Sequence, residues 1–217
     1  MPGDCFHLLS GIIGSEHRQI RCGRPEPLPI LAYVIGEEFA AVLAAAQDGS
    51  EAAFAVLWRD VNPVLLRYLR ATAPAAAEDI AAETWVQVVR GLPGFRGDEQ
   101  AWRAWLFTTA RRRAADESRR RSRHPVTSLA EVPGAQEPRT EDAAGLAMEN
   151  LATAAAIAAV SALPPLQAEV ILLRVLAGLD TEAVARIVGR SPGAVRVAAH
   201  RGLRRLAQTL AKTGVTL

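Results

Sequence analysis

The 217-residue sequence contains few cysteines, few aromatic residues and a single lysine. Cys5 and Cys22 are too few to form a disulfide framework. No apolar run reaches the roughly 20 residues that a membrane-spanning helix needs. The apolar stretch at 8–13 is short and interrupted by Ser10 and Gly11, which argues against a signal peptide. We therefore expect a cytoplasmic protein without membrane insertion.

Catalytic and metal-binding patterns are also scarce. No His/Asp/Ser group recurs at a useful spacing, so we expect neither an enzyme nor a cofactor. Cys5, His7, His17 and Cys22 could supply four metal ligands, but their spacing matches no zinc pattern. We expect no metal site there.

The net charge of +2 conceals a segregated pattern. Residues 101–123 hold eight arginines and two acids, whereas residues 131–149 hold five acids and one arginine. No acid follows Glu182. Arginine suits bidentate contacts to phosphate and guanine, so these basic segments point to nucleic acid as a partner.

Alanine-rich segments with helical periodicity predict an all-α protein of two small helical domains. The leader, residues 1–36, has little pattern. Residues 37–124 form the first predicted domain and residues 146–217 the second. Residues 125–145 contain proline, glycine and several acids, which predicts a flexible linker.

Two helices of the first domain have a predicted core face. In the first, Ser50 is the expected N-cap and Pro63 predicts a kink or a break. Its apolar face comprises Phe54, Leu57, Trp58, Val61, Leu65, Tyr68 and Leu69. The second runs from Ala75 to Leu92, with Ile80, Trp85, Val88 and Val89 predicted inward and Glu78, Asp79 and Glu83 outward.

The segment from Asp180 to Leu210 predicts a helix-turn-helix. Asp180 can cap a helix over 181–188, and Gly189 can end it in a left-handed conformation. Ser191 and Pro192 then suit the start of a second helix. That helix carries Arg196, His200, Arg201, Arg204 and Arg205. It would fit the major groove of DNA, although a packed helical pair with a solvated basic face is the alternative.

A second basic helix is predicted at about 101–122, with Trp102, Trp105 and Phe107 near its start. Arginines can follow a nucleic-acid backbone while bases stack on aromatic rings, as single-stranded DNA requires. The alternative is that the aromatic residues are core and the arginines a solvated surface.

Two stretches resemble a known family. AEDIAAETWVQVVRGLPGF, continued by RAWLFTTARRRAADESRRRSR, resembles region 2 of bacterial sigma factors. LPPLQAEVILLRVLAGLDTEAVARIVGRSPGAVRVAAHRGLRRL resembles their region 4. With these two regions and a short linker, the chain is similar to extracytoplasmic-function (ECF) sigma factors over about residues 37–210.

This resemblance implies three partners: core RNA polymerase through its β′ and β subunits, promoter DNA, and an anti-sigma protein. The positions that match the family's polymerase-docking helix are Glu78, Asp79, Glu83 and Trp85. The family usually has glutamine where Ala82 stands.

The resemblance also implies two DNA sites. The helix from Arg103 to Arg123 and the loop from Gly91 to Gln100 would bind the −10 element as a melted non-template strand with one flipped base. The matching positions are Phe95, Arg96, Trp105, Arg111, Arg112, Asp116, Arg119 and Arg120. The −35 element would be bound as a duplex by Arg190, Ser191, Gly193, Ala194, Arg196, Val197, His200, Arg201 and Arg204.

Two other readings remain open. A stand-alone helix-turn-helix regulator would bind operator DNA without polymerase, and it would normally need a dimer interface to read paired half-sites. An adaptor of two helical modules would need no basic DNA-binding helices. The Trp- and Arg-rich helix favours the sigma-factor reading over both.

Overall fold

A computed structural model describes residues 35–123 and 155–212, with side chains through residue 209. These residues form helices and turns and contain no strand, which confirms the all-α prediction. Cys5, His7, His17 and Cys22 lie outside the described residues, as does the predicted linker. No helix in the described ranges is long and apolar enough to span a membrane.

The N-terminal domain contains four α-helices. They are α1 (Phe39–Gln47), α2 (Glu51–Thr72), α3 (Ala77–Gly91) and α4 (Glu99–Arg123). Short 3-10 turns at Gly36–Glu38, Pro74–Ala76 and Leu92–Gly94 adjoin them. The Ser50 side chain accepts a hydrogen bond from the Ala53 amide at 3.2 Å, which confirms the predicted N-cap of α2.

Three expectations about α2 and α3 are corrected. At Pro63 a kink or a break was predicted; helix α2 continues through this residue, so the break does not occur and the kink stays a prediction. Trp58 and Val89 were predicted to face the core, but their exposed fractions are 42% and 51%. Their neighbours Leu57 and Val88 are fully buried. Consecutive residues on a helix lie about 100° apart, and at these two places one of the pair faces the core while the other faces solvent.

Within residues 155–212, the C-terminal domain also shows four helices. They are α5 (155–161), α6 (Pro165–Ile171, continued by a π-helical turn at Leu172–Leu176), α7 (Thr181–Val188) and α8 (Pro192–Lys212). Asp180 accepts from the Ala183 amide at 2.6 Å, and Gly189 is left-handed with a φ of 67°. Ser191 accepts from the Ala194 amide at 3.2 Å. The predicted caps of the helix-turn-helix are therefore confirmed.

The two domains pack against each other. Helix α7 lies on α4, and the π-helical turn lies on α2. Buried apolar side chains from both domains form one continuous cluster. The first helix of the helix-turn-helix is thereby placed beside the basic helix of the N-terminal domain.

Candidate nucleic-acid interface

Helix α8 has one buried face and one exposed basic face. Val195, Ala198 and Leu206 are buried against the rest of the C-terminal domain. The exposed basic side chains are Arg196, His200, Arg201, Arg204 and Arg205. Arg196, His200 and Arg204 recur every four residues, and Arg201 and Arg205 lie next to them, so the basic groups form a band along the exposed half of the helix, as contact with a groove and its phosphates requires.

The N-terminal end of α8 is open to solvent. Arg190, Ser191 and Gly193 are exposed, whereas Ala194 is half-buried. A Cβ atom added to Gly193 would meet no atom nearer than the Ser191 hydroxyl at 4.0 Å. Val197 is 49% exposed on the same side of α8 as its basic residues. The predicted −35 residues thus lie along the turn and the outer face of α8.

Helix α4 begins with a buried ion cluster. Arg103 is 1% exposed, and its Nη2 lies 2.7 Å from Asp60 Oδ2 on α2. Its Nε lies 3.3 Å from Glu99 Oε1, and the other Glu99 oxygen accepts from the Gly36 amide at 3.1 Å. Arg103 was included in the predicted −10-binding helix. Its burial makes it unavailable to DNA, and it joins α4 to α2 instead.

The Asp60 carboxyl is an unusual member of this cluster. Burial raises the pKa of Asp60 to about 6, although the positive charge of Arg103 acts in the opposite direction. Desolvation of a carboxylate in the core therefore outweighs its attraction to the neighbouring guanidinium.

The later arginines of α4 are less buried, and most are paired with acids. Arg111 contacts Glu169 of the C-terminal domain at 2.6 Å, and Arg113 lies 3.5 Å from Glu83. Three more pairs lie within α4: Arg119 with Asp116, Arg120 with Glu117 at 3.2 Å, and Arg121 with Glu117 at 2.9 Å. Arg112 is exposed. Apart from Arg103, the arginines of this helix still reach the surface, but their charge is partly neutralised.

Aromatic rings meet where α3 ends and α4 begins. Phe95 stacks on Trp105 with centroids 5.2 Å apart, and both rings contact Trp102 edge-on at 5.6 Å. Trp102 is fully buried, whereas Phe95 and Trp105 are half-buried. A Cβ atom on Gly91 would lie 2.7 Å from the Trp105 ring, so glycine permits this contact. The core alternative therefore holds for Trp102, while Phe95 and Trp105 keep a surface.

Gln47 holds the loop that carries Phe95. Its side-chain amide donates to the carbonyls of Leu92 at 2.9 Å and Phe95 at 2.8 Å. Arg96 is exposed and donates to the carbonyls of Pro93 and Phe95. Gln47 was not among the predicted site residues, because a lone glutamine at a helix end carries no sequence signal of a contact 48 residues away.

The outer face of α3 is acidic. Glu78, Asp79 and Glu83 are exposed as predicted. Glu78 pairs with Arg70 at 3.0 Å, and Arg113 reaches Glu83 from α4. No group of three or more His, Cys, Asp or Glu residues within the described ranges could hold a metal ion.

Trp85 does not belong to this acidic surface. It is 8% exposed, its indole donates to Asn62 at 2.9 Å, and its ring meets Phe54 edge-on. The ring fills the space between α2 and α3, and its predicted part in polymerase docking stays a prediction.

The profile of the family "Sigma-70 region 2" matches residues 57–124, and that of "Sigma-70, region 4" matches residues 153–206. The ECF RNA polymerase sigma factor ShbA of Streptomyces griseus is 36% identical over 172 residues, which cover 74% of this chain and 89% of the relative. SigD of Mycobacterium tuberculosis, also an ECF RNA polymerase sigma factor, is 31% identical over 188 residues, or 82% of this chain and 87% of the relative.

Two solved structures share the fold. One is CnrH in complex with the cytosolic domain of CnrY, with a TM-score of 0.55, 20% identity, and coverage of 81% of this chain and 99% of that chain. The other is the sigma factor RpoE bound to the anti-sigma factor NepR from Bartonella quintana, with a TM-score of 0.52, 24% identity, and coverage of 74% and 98%. With both sigma regions present in order, and with ECF relatives matched over most of their length, the chain belongs to the ECF group of sigma-70 family RNA polymerase sigma factors.

Proposed function

We propose that the chain binds core RNA polymerase in the cytoplasm and directs it to promoters through a −35 and a −10 element. The observation that carries the proposal is the pairing of two basic helices, α4 and α8, in two domains that match sigma regions 2 and 4 in order. The chain performs no catalysis in this scheme. It supplies DNA recognition and nucleates strand opening for the polymerase.

Helix α8 contacts the −35 element as a duplex. Arg196 and His200 lie where a helix in the major groove reaches base edges, and Arg190, Arg201 and Arg204 are suited to phosphates. Gly193 supports a close approach of the backbone, since no side chain covers it. The apolar Val197 contributes contact area on the same face.

The loop after α3 and the surface of α4 bind the −10 element as a melted non-template strand. Extruding a base costs a few kcal/mol of stacking, which a protein surface must offset with stacking and hydrogen bonds. The half-buried rings of Phe95 and Trp105 and the exposed Arg96 offer such groups. Further along α4, Arg111, Arg112, Asp116, Arg119 and Arg120 line the path of the strand.

The acidic face of α3 docks on the β′ subunit of polymerase, while the chain also contacts the β subunit. Glu78, Asp79 and Glu83 provide its charge, and the exposed Val86 and Val89 extend it with apolar area. An anti-sigma protein is a further proposed partner, because RpoE of Bartonella quintana is bound to one in its solved structure.

The experiment that tests the proposal combines the chain with sigma-free core polymerase in size-exclusion chromatography and in transcription from a library of genomic fragments. We expect co-elution and start sites that share two spaced elements. The E78R/D79R/E83R variant should lose both properties. The control E37R/E38R/E51R makes the same charge change at three other exposed acids and should keep them.

Failure of the folded chain to co-elute would reject the polymerase subunit. Sequence-specific DNA binding without polymerase would then favour the stand-alone regulator.

A further inference from the structure

One carboxylate lies at the centre of the contact between the domains. Glu169 of α6 is 17% exposed at its side chain, and its Oε1 accepts from Arg111 Nε at 2.6 Å. The same oxygen accepts from the Tyr68 hydroxyl at 3.1 Å, while Arg111 Nη2 lies 3.4 Å from Oε2. Arg111 and Tyr68 both belong to the N-terminal domain, so Glu169 joins α6 to α4 and α2 at once.

The tyrosine keeps this carboxylate in place. Burial and the neighbouring Glu169 raise the pKa of Tyr68, so its hydroxyl stays protonated and donates. Tyr68 is 1% exposed and packs edge-on against Phe107 at 5.4 Å. With one donor fixed by the core, the Glu169 carboxylate presents its oxygens to the guanidinium of Arg111.

The ion pair with Glu169 is incompatible with the proposed contact between Arg111 and a DNA phosphate. A guanidinium fork fits carboxylate and phosphate with the same bidentate geometry, so Glu169 occupies the donors that a DNA phosphate would use. The negative charge of Glu169 also repels a phosphate brought to that place. Helix α7 beside α4 and the hydrogen bond from Gln100 to the Gly178 carbonyl at 3.1 Å belong to the same domain contact.

The −35 face is not affected in this way, because its one ion pair among the described residues, Arg196 with Glu182 at 3.6 Å, lies within the C-terminal domain and is exposed. The basic side chains of α8 are exposed while the domains are in contact. The contact therefore affects one DNA-binding helix and leaves the other open.

We propose that Glu169 is an internal competitor for the DNA backbone at Arg111, and that the packed arrangement is a closed state that must open before α4 binds the −10 strand. This inference rests on the proposed function for the role of Arg111. It assigns Glu169, on the domain that reads −35, a regulatory role in −10 binding.

The first test measures binding of the full chain to a fluorescent single-stranded oligonucleotide of random sequence by anisotropy. Glu169→Gln keeps the side-chain shape and removes its charge. We expect about fivefold tighter binding, the factor associated with a partly exposed ion pair. Glu51→Gln makes the same charge change at an exposed position away from the contact and should leave the affinity close to that of the wild type.

The second test measures the radius of gyration by small-angle X-ray scattering without DNA or polymerase. Glu169→Arg places two cations together and should expand the chain. The exchange R111E/E169R restores opposite charges and should return the radius towards the wild-type value, which a loss of folding would not allow. Thermal unfolding of each variant checks that the domains remain folded.

Two results would overturn the closed state. One is equal oligonucleotide affinity for E169Q and E51Q, and the other is an unchanged radius for E169R. Both measurements omit polymerase, so they separate this inference from the proposed function. If the wild type directs transcription from promoters but the Glu169 substitutions change neither oligonucleotide affinity nor the radius of gyration, the closed state alone is rejected. Domain opening without promoter-directed transcription would reject the sigma-factor function alone.

Discussion

Helices α4 and α8 are both rich in arginine, but the structure uses their charge differently. On α4, Arg103 is buried with Asp60, and five later arginines lie within ion-pair distance of an acid. On α8, Arg196 lies 3.6 Å from Glu182 and Arg205 contacts the neutral Gln167. Arg201 and Arg204 have no acidic partner among the described residues. The number of arginines in a segment therefore overstates the charge that it offers to DNA.

The difference has a physical origin. Helix α4 lies between α2, α3 and α7, so its arginines face carboxylates on several elements. Helix α8 packs on α6 and α7 through its apolar side, and no acid follows Glu182 in the sequence. Under the proposed function, internal acids therefore reduce the charge available at the −10 site on α4, whereas the −35 face of α8 keeps most of its charge.

The largest expected effect comes from Arg103, where α4 differs most from α8. Arg103→Ala leaves the carboxylate of Asp60 without its buried partner, and we expect a loss of about 3–5 kcal/mol in the free energy of unfolding at pH 7.5. Chemical denaturation measures it. Arg112→Ala, at an exposed position of the same helix, should change stability by about 0.5 kcal/mol or less. Equal effects of the two substitutions would contradict a structural role for Arg103.

The same cluster predicts a dependence of stability on pH. The pKa of Asp60 is raised to about 6 in the folded protein, above the ordinary value of 3.8, so the folded state binds this proton more tightly than the unfolded state does. Its contribution to stability is fully present below pH 3.8 and is lost as the pH rises through 6. Asp60→Asn should remove about 2 kcal/mol of this variation. Unfolding curves from pH 4 to 7.5 test it, and an unchanged slope in the variant would exclude Asp60 as the source.

Two glycines differ in their surroundings: Gly91 packs against the Trp105 ring, whereas Gly193 lies on an open surface. Gly91→Ala drives a methyl group against the Trp105 ring, and we expect a loss of about 1–3 kcal/mol from overpacking. Gly193→Ala meets no atom closer than 4.0 Å, so stability should stay constant or rise by about 1 kcal/mol at most. Thermal unfolding compares the two. If both substitutions changed the free energy of unfolding equally, the aromatic cluster would not depend on close packing at Gly91.

The smallest expected effect concerns individual phosphate contacts. Arg201→Gln removes a cation that has no acidic partner in the described part of the chain, so the slope of log K against log salt for a DNA fork with a duplex arm and a single-stranded arm should fall by about one. Arg120→Gln removes a cation paired with Glu117 and should change the slope less. Titrations at several salt concentrations measure both slopes. A larger change in slope for Arg120→Gln than for Arg201→Gln would contradict the proposal that the arginines of α8 are more available to DNA than those of α4.

Much of the fold could be predicted because its signals are local. The caps at Ser50, Asp180 and Ser191 and the left-handed Gly189 involve residues three or fewer positions from a helix end. The exposed face of α8 follows from its helical period. Errors appeared at the edges of buried stripes, where Trp58 and Val89 are exposed although their neighbours are in the core.

The candidate site was predicted less completely, because similar residues have different surroundings. Arg103 and Arg112 are both arginines of one basic helix, yet one is buried and the other exposed. Trp85 and Trp105 are both tryptophans near polar segments, but only Trp105 retains a surface. Gln47 holds the loop through carbonyls that any sequence would supply. These roles depend on the neighbouring helices, which a pattern along one helix does not contain.

The amino-acid sequence is enough to predict a helical chain, the start and the turn of the helix-turn-helix, and two basic helices in the two family regions. Capping groups, glycine conformation and apolar period act within one or two turns of helix, so they can be recognised in the sequence. Which of the arginines remain available to DNA depends on how the helices pack. The acids Asp60, Glu83 and Glu169 lie far along the chain from the arginines they contact, and their effect depends on distance and burial, which packing alone establishes.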